Sequence, residues 1–288
     1  MDFVQVDVFA EGPYAGNPLA VFADAGSLHT HQMQAIASEM NLSETSFVTA
    51  VSADAYDVRI FTAQDEVPFA GHPTVGTAWT LRHLGLVTGD ELVQRSGAGE
   101  TEVFVQGDSA SFLRSGRSEP DLEDTDPGAL RTVAEALGLS PEDVGLEARE
   151  LGRSGRLRPA FSDAGLRQLM VPVRSIEALE ACRPRPDVLA RVAGIGVYCF
   201  TAAGAGRVRA RGLFPGAGVQ EDPATGSAAG ALGLYLADRI GDIDLQILQG
   251  REIGRPSKIE VEAERGSVRV GGACALVLKG TLEQLPAP

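Results

Sequence analysis

Two short stretches of this chain repeat each other: Gly71 to Ala78 reads GHPTVGTA, and Glu221 to Ala228 reads EDPATGSA. They align at one constant offset, with Pro73 opposite Pro223. In each copy an apolar, β-type run precedes the turn and a run of small residues of helical character follows it. A long-period repeat of this kind indicates two similar folding units rather than a solenoid of many short ones. The repeat therefore predicts two helix N-termini, and leaves open that they face one cleft.

Each repeated turn places a titratable residue directly before a proline. Proline biases the preceding residue towards an extended conformation, so His72 and Asp222 are expected at the bend. Thr77 and Ser227 can cap or begin the helix that follows. A helix N-terminus presents free N–H groups and about half a positive charge, which suits a carboxylate. Two interpretations stay open. The turn geometry favours a duplicated structural turn with satisfied caps, and the titratable residue in each copy favours a pair of functional helix starts.

Composition narrows the class of protein. A chain of 288 residues, 44% hydrophobic and 22% charged, has room for two globular domains with ample core. The formal net charge of −14 argues against nucleic acid or anionic membranes as partners, although helix ends still attract small anions. Three cysteines, Cys182, Cys199 and Cys274, are widely spaced without a CxxC pair, so they are expected to be reduced thiols of a cytoplasmic protein. No apolar run is long enough to predict a membrane span.

Hydrophobic periodicity predicts an α+β protein. Strands linked mostly by hairpins alternate with single helices, and one helix is expected to stop at Asn41 in a left-handed conformation. The acidic, proline-containing segment 118–128 is predicted to be a linker. It would separate an N-terminal domain, 1–117, from a C-terminal domain, 129–272. A last strand within 273–288 is expected to return to the first domain.

Few other residues carry a chemical signal. Glu44 lies between a predicted helix and a predicted strand, where a carboxylate near apolar groups can act as acid or base. Nothing local distinguishes it from Glu39, so the residues alone favour a solvated loop glutamate at position 44. His29 and His31 are two residues apart at a helix start and do not share a face, so no metal site is expected. Phosphate-binding glycine loops, the GxSxG elbow and HExxH are lacking in the sequence.

Several segments taken together resemble the PhzF-like family, which has the diaminopimelate epimerase-like fold. The resemblance extends from the N-terminus to about Ser257. The matching segments are Val6 to Phe9 (VDVF), Gly16 to Val21 (GNPLAV), Asn41 to Phe47 (NLSETSF), Gly71 to Gly76, Val171 to Val173 (VPV), Glu221 to Ala228, Gln249 to Gly250, and Gly254 to Ser257 (GRPS).

The resemblance implies an α+β architecture of two pseudo-symmetric domains, each a curved sheet wrapped round a central helix that begins at a repeated turn. It also implies an interdomain cleft for a small carboxylate substrate and a homodimer. The family member of the phenazine pathway moves a proton on trans-2,3-dihydro-3-hydroxyanthranilate without cofactor or metal. The expected activity is therefore a cofactor-independent isomerase of a small cyclic or amino carboxylic acid.

The resemblance also assigns roles to individual residues. The general acid/base glutamate of the family corresponds to Glu44, with His72 and Asp222 as its catalytic partners. Substrate binding is assigned to four residues of the two turns: Gly71, Thr74, Gly226 and Ser227.

Two other functions remain open from the sequence. One is a racemase, epimerase or dehydratase of an amino or imino acid; racemases and epimerases of this fold place one cysteine at each turn. Here Gly71, His72 and Asp222 occupy those positions, which counts against a mechanism with two thiols. The other is a ligand-binding protein without turnover. The substrate itself is not readable from the sequence, because residues that shape a specificity pocket are scattered along a chain.

Overall fold

The computed structural model describes residues 1–193, 196–204, 206–217 and 219–287. The chain divides into two compact units, one formed by Met1–Leu113 with Gly271–Pro288 and the other by Arg114–Val270. Across the described ranges, strands and helices mix as the sequence predicts for an α+β protein. Within those ranges, no helix combines the length and apolar character that crossing a bilayer would require.

The first unit is built mainly from short strands with two helices. Its elements are β1 (Asp2–Val8), β2 (Asn17–Phe22), α1 (Thr30–Met40), β3 (Glu44–Val51), β4 (Ala55–Phe61), β5 (Glu66–Val67), α2 (Gly71–His83), β6 (Glu91–Ser96), β7 (Gly99–Gln106) and β8 (Ser109–Ser115), whose end passes into the second unit.

The second unit contains more helix. Its elements are β9 (Arg117–Asp121), α3 (Leu122–Thr125), α4 (Ala129–Leu137), β10 (Leu146–Glu147), β11 (Arg156–Leu157), β12 (Ala160–Asp163), β13 (Arg167–Pro172), α5 (Ile176–Ala181), α6 (Pro186–Ala193), β14 (Val197–Ala202), β15 (Arg207–Phe214), β16 (Val219–Asp222), α7 (Gly226–Ile240), β17 (Ile243–Gln249), β18 (Ser257–Glu264) and β19 (Ser267–Thr281), whose end belongs to the first unit.

Strand pairing repeats from one unit to the other. In the first unit β1 is antiparallel to β2, β2 parallel to β3, β3 antiparallel to β4, and β4 parallel to β6. In the second, β12, β13, β14, β15 and β17 follow in the same order with the same directions. A short strand, β5 or β16, then leads into α2 or α7. The sequence repeat thus corresponds to a repeated sheet and helix.

The central helix of each unit is buried on all sides. Every residue of α2 from Gly71 to Leu81 is buried, and the helix packs against β1, β2, β3, β6 and β7. Such a helix must carry small residues where strands approach closely. A Cβ added at Gly76 would lie 2.6 Å from a methyl group of Val8. In α7, a Cβ at Gly233 would lie 2.8 Å from a methyl group of Val261. Glycine at these positions therefore fixes the distance between helix and sheet.

The two helices begin at different points of the repeat. Helix α7 begins at Gly226, one residue before the predicted Ser227. Helix α2 begins at Gly71 rather than at Thr77, so the predicted start was wrong by six residues. The first helical turn lacks intrahelical acceptors for its N–H groups, and proline is tolerated there. Pro73 is therefore the third helical residue, whereas Pro223 precedes its helix.

Segment 118–128 is structured, which corrects the prediction of a linker. Strand β9 pairs with β12, and α3 follows it. Arg239 of α7 donates to the Asp121 carboxylate, to the Ser118 hydroxyl and to the Glu119 carbonyl. The acidic character of the segment is therefore matched by a cation distant in sequence.

The end of the chain contributes to the first unit. Residues 274–281 of β19 are antiparallel to β1, with Val8 opposite Cys274.

The left-handed stop predicted at Asn41 is confirmed, because this residue caps α1 with a φ of 50°.

Candidate active site

The first group of candidate residues, here called the Glu44 cluster, comprises Asn17, Glu44 and His72. Glu44 is the first residue of β3, and His72 is the second residue of α2. The carboxylate Oε2 of Glu44 lies 3.5 Å from Nδ1 of His72, and the glutamate side chain keeps 21% of its surface exposed. The structure thus brings together two residues that are far apart in the sequence, one of them buried and the other reachable by a ligand.

Burial determines the charge of His72. Removal from water disfavours the imidazolium form and lowers the pKa of His72 to about 3, although a hydrogen bond with the backbone carbonyl of Pro18 acts in the opposite direction. The ring is therefore neutral near pH 7. Its Nδ1 also lies 3.4 Å from Nδ2 of Asn17, the first residue of β2.

A neutral imidazole can match either protonation state of the neighbouring carboxyl group. With the proton on Nδ1, the ring donates to a Glu44 carboxylate. With the proton on Nε2, Nδ1 accepts from a protonated Glu44 or from the amide of Asn17, while the buried Nε2–H has no acceptor among the described residues. The cluster can thus accommodate a proton on Glu44 without a change in the charge of the ring.

The start of α2 has no side-chain cap. Its N-cap residue, Ala70, has no side chain that could accept a hydrogen bond, and the first intrahelical bond runs from Thr74 N–H to Ala70 O. The N–H groups of Gly71 and His72 therefore lack intrahelical acceptors. This end of the helix can attract an anion.

Thr74, expected to bind substrate, is fully buried. Its hydroxyl donates to the Ala70 carbonyl at 2.9 Å and accepts from Gln94 at 3.0 Å. In the structure Thr74 supports the start of the helix, and its assignment to substrate binding stays a prediction.

The second group, the Asp222 cluster, comprises Gln168, Asp222, Thr225 and Ser227. Asp222 is the last residue of β16 and is buried. Its Oδ2 accepts a hydrogen bond of 2.6 Å from the hydroxyl of Thr225, which is the N-cap residue of α7. Because this hydroxyl serves Asp222, it does not cap the helix, and the N–H groups of Gly226 and Ser227 lack intrahelical acceptors.

Ser227 is supported from the neighbouring strand. The amide of Gln168, near the start of β13, lies 3.1 Å from the Ser227 hydroxyl. In the repeated pairing, β13 corresponds to β2, whose first residue Asn17 contacts His72. A buried amide thus holds one side chain at the start of each central helix.

Sequence reasoning missed these amides and Thr225 as parts of the site. Single Asn or Gln residues carry no local signal, because such side chains occur throughout folded proteins. The repeat offers a signal: Asn17 and Gln168 are separated by nearly the same interval as the two turns.

The cysteines lie outside both clusters. Cys182 follows α5, Cys199 lies in β14 and Cys274 in β19, and all three are buried. Within the described ranges, no group of three or more His, Cys, Asp and Glu side chains is arranged to hold a metal ion.

Comparison with known proteins connects this geometry to a family. The profile of the phenazine biosynthesis-like protein family, PhzC-PhzF, matches residues 6–280. The chain is 38% identical to a trans-2,3-dihydro-3-hydroxyanthranilate isomerase of Pseudomonas fluorescens, over 91% of this chain and 90% of that protein. A crystal structure of a PhzF-family phenazine biosynthesis protein from Bacillus anthracis superposes with a TM-score of 0.82 at 24% identity, over 97% and 98% of the two chains. A crystal structure of a probable proline racemase from Agrobacterium radiobacter gives a TM-score of 0.60 at 12% identity, over 98% and 92% of the chains, and shares the fold alone.

The duplicated sheet and central helix therefore define an α+β protein of the epimerase-like fold, as expected from the sequence. Within that fold the chain belongs to the PhzC-PhzF family of phenazine biosynthesis-like proteins. Its similarity to trans-2,3-dihydro-3-hydroxyanthranilate isomerases of Pseudomonas species establishes it as an isomerase.

Proposed function

We propose that this isomerase moves a proton on a small cyclic amino carboxylic acid, similar to trans-2,3-dihydro-3-hydroxyanthranilate, by general acid/base catalysis without a cofactor. The observation that carries the proposal is the partly exposed Glu44 carboxylate 3.5 Å from a buried imidazole. The name of the relative from Pseudomonas fluorescens supports the substrate class.

In the proposed reaction, Glu44 takes a proton from one carbon of the substrate and returns it to another. One C–H bond breaks at the first carbon and one C–H bond forms at the second carbon. The double bond moves towards the carbon that has lost the proton. Substrate and product are isomers, so the balance requires neither oxidant nor reductant. His72, being neutral, stabilises Glu44 in both its carboxylate and its carboxylic acid forms.

Each uncapped helix start is by itself a candidate site for a substrate carboxylate. The N–H groups of Gly71, Gly226 and Ser227, with the Ser227 hydroxyl, are suitable donors, and the helix dipoles add a favourable potential. Asp222 would accept a hydrogen bond from the hydroxyl or amino group of the substrate and orient it.

Deuterium exchange tests this function directly. The protein is incubated in D₂O with trans-2,3-dihydro-3-hydroxyanthranilate, hydroxyprolines and common amino acids, and deuterium uptake is followed by mass spectrometry. We expect deuterium uptake into trans-2,3-dihydro-3-hydroxyanthranilate with the wild type. This uptake should be lost in both Glu44→Gln and Asp222→Asn. Uptake that survives in Glu44→Gln would refute the base, and uptake into acyclic amino acids alone would refute the substrate class.

The cysteines should be dispensable for turnover. A hydrogen bond between Cys199 and Cys182, together with burial, raises the pKa of Cys199, and the same hydrogen bond lowers the pKa of Cys182. Burial raises the pKa of Cys274, and none of the three thiols lies in the Glu44 or Asp222 cluster. We expect each single Cys→Ser variant that folds to retain most of the wild-type kcat/KM. A loss of about 10²-fold or more in one variant, with an unchanged melting temperature, would instead indicate a thiol acid/base as in a racemase.

A further inference from the structure

A continuous chain of hydrogen bonds ends on the carboxylate of Asp222. It starts at the hydroxyl of Tyr198 in β14, which lies 2.7 Å from Oε1 of Gln249 at the end of β17. Nε2 of Gln249 lies 3.0 Å from the Thr225 hydroxyl and 2.8 Å from the Asp222 carbonyl. The Thr225 hydroxyl in turn lies 2.6 Å from Oδ2 of Asp222.

The chemistry of these groups fixes the direction of the chain. Burial, together with the negative charge of Asp222, raises the pKa of Tyr198 well above its ordinary value, so the phenol stays protonated and donates. Gln249 therefore presents its oxygen to Tyr198 and its NH₂ group to Thr225. Because the Thr225 oxygen already accepts from Gln249, its own proton points to Asp222. Every donor is oriented towards the carboxylate, an arrangement in which successive hydrogen bonds strengthen one another.

We propose that Thr225 and Gln249 are positioning residues that hold Asp222 as an ionised carboxylate with one oxygen fixed at the start of α7. A protonated Asp222 could accept only a neutral hydrogen bond from Thr225, whereas the carboxylate accepts a stronger, charge-assisted one. Asp222 then serves the reaction as a hydrogen-bond acceptor, and the proton on carbon is left to Glu44. The catalytic consequence rests on the proposed function; the protonation state of Asp222 does not.

The carboxylate next to Asp222 in the sequence belongs to an ion pair of its own. The adjacent carboxylate, Glu221, is held by both Nε and Nη2 of Arg211 from β15. Nη1 of the same arginine donates to the backbone carbonyls of Leu179 and Cys182, and Tyr198 is neutral. The Asp222 carboxylate accepts the hydrogen bond from the Thr225 hydroxyl.

The first unit contains a matching chain with a different end. The Tyr56 hydroxyl lies 3.0 Å from Oε1 of Gln94 in β6, and Nε2 of Gln94 lies 3.0 Å from the Thr74 hydroxyl. Thr74 then donates to the backbone carbonyl of Ala70, not to a carboxylate. Tyr, Gln and Thr thus support the start of both central helices. Of these two hydrogen-bond chains, the one in the second unit ends on a titratable group. The chain in the first unit therefore serves as an internal control.

The test follows the titration of Asp222 itself. Protein labelled with ¹³C at the aspartate carboxyl carbons is titrated by NMR, and the Asp222 signal is assigned by its loss in Asp222→Asn. We expect Thr225→Val to move the midpoint of this signal to higher pH by about one unit, as removal of a donor to a carboxylate does. Thr225→Ser, which keeps the hydroxyl, should restore the wild-type midpoint.

A second pair of variants covers the case in which Thr225→Val does not fold. Tyr198→Phe removes the first donor of the chain and should move the Asp222 midpoint in the same direction by a smaller amount. Tyr56→Phe makes the same chemical change in the first unit and should leave the Asp222 midpoint in place. A midpoint that does not move in Thr225→Val would overturn the proposal. If that variant is unfolded, an unmoved midpoint in Tyr198→Phe would do the same. Equal shifts in Tyr198→Phe and Tyr56→Phe would also overturn it.

Turnover gives the second readout. With trans-2,3-dihydro-3-hydroxyanthranilate as the probe, the acidic fall of kcat/KM should move to higher pH in Thr225→Val and return in Thr225→Ser. If wild-type protein does not turn this compound over, the proposed function fails, while the NMR titration still decides the role of Thr225.

Discussion

Replacing Glu44 by glutamine is expected to lower kcat/KM by about 10²–10⁴-fold while leaving the protein folded. The amide has nearly the size of the carboxyl group and can still donate to Nδ1 of the neutral His72, so the packing of the cluster is kept. It cannot accept a proton from carbon at neutral pH, so the general base is lost. The measurement is steady-state isomerisation, with thermal unfolding of each variant as the check on folding.

The matched control for this variant is Glu39→Gln. Glu39 is exposed on α1, five residues earlier in the sequence, and lies outside both clusters. Its replacement should leave kcat/KM at the wild-type level. Full activity in Glu44→Gln, or an equal loss in both variants, would contradict the assignment of the base.

The second large effect concerns stability in acid. In the unfolded chain His72 binds a proton below about pH 6.5, its ordinary pKa. In the folded protein burial lowers the pKa of His72 to about 3, so the native state stays neutral at this position until much lower pH. Between these values the unfolded state binds more protons, and the free energy of unfolding therefore falls as the pH falls. From about pH 7 to about pH 4 this histidine should account for a loss of about 3 kcal/mol.

Urea unfolding of the wild type and His72→Gln measures this contribution. The variant should be less stable at neutral pH, but its stability should depend less on pH over the same range. His83→Gln is the control, because His83 is exposed on the last turn of α2. If the free energies of unfolding of the wild type and His72→Gln fell in parallel over this pH range, His72 would be protonated in the native state there, which would contradict the prediction.

The sequence predicts the duplicated architecture well because the repeat is local and in register. It places the start of α7 to within one residue, since the small residues after Thr225 follow directly on the turn. It misplaces α2, because proline is allowed in a first helical turn and Pro73 gives no sign of which side of the start it occupies. It also misinterprets segment 118–128, whose cationic partner, Arg239, lies more than a hundred residues away.

The candidate site was less accessible to sequence reasoning. Glu44 and Glu39 look alike locally, and only the resemblance to a family separated them; the structure adds the contact with His72. The supporting residues, such as Gln249, are recognisable only when β15 and β17 are placed side by side. Hydrogen bonds between residues distant in sequence decide which polar side chains are held in place, and these are a property of the fold.

The pairing of β1 with the end of β19 has a consequence for how the protein is made. Ribosomes add about 5–20 residues per second, so the first strand waits roughly 15–50 s for its last neighbour. The second unit, Arg114–Val270, is continuous in sequence and emerges complete before the first unit does. During this interval one edge of β1 is an unpaired strand with buried-type side chains, the kind of edge that recruits other chains. The exposed edge of β1 therefore needs protection until β19 has been synthesised. A permutation that joins β19 directly to β1 would remove this interval.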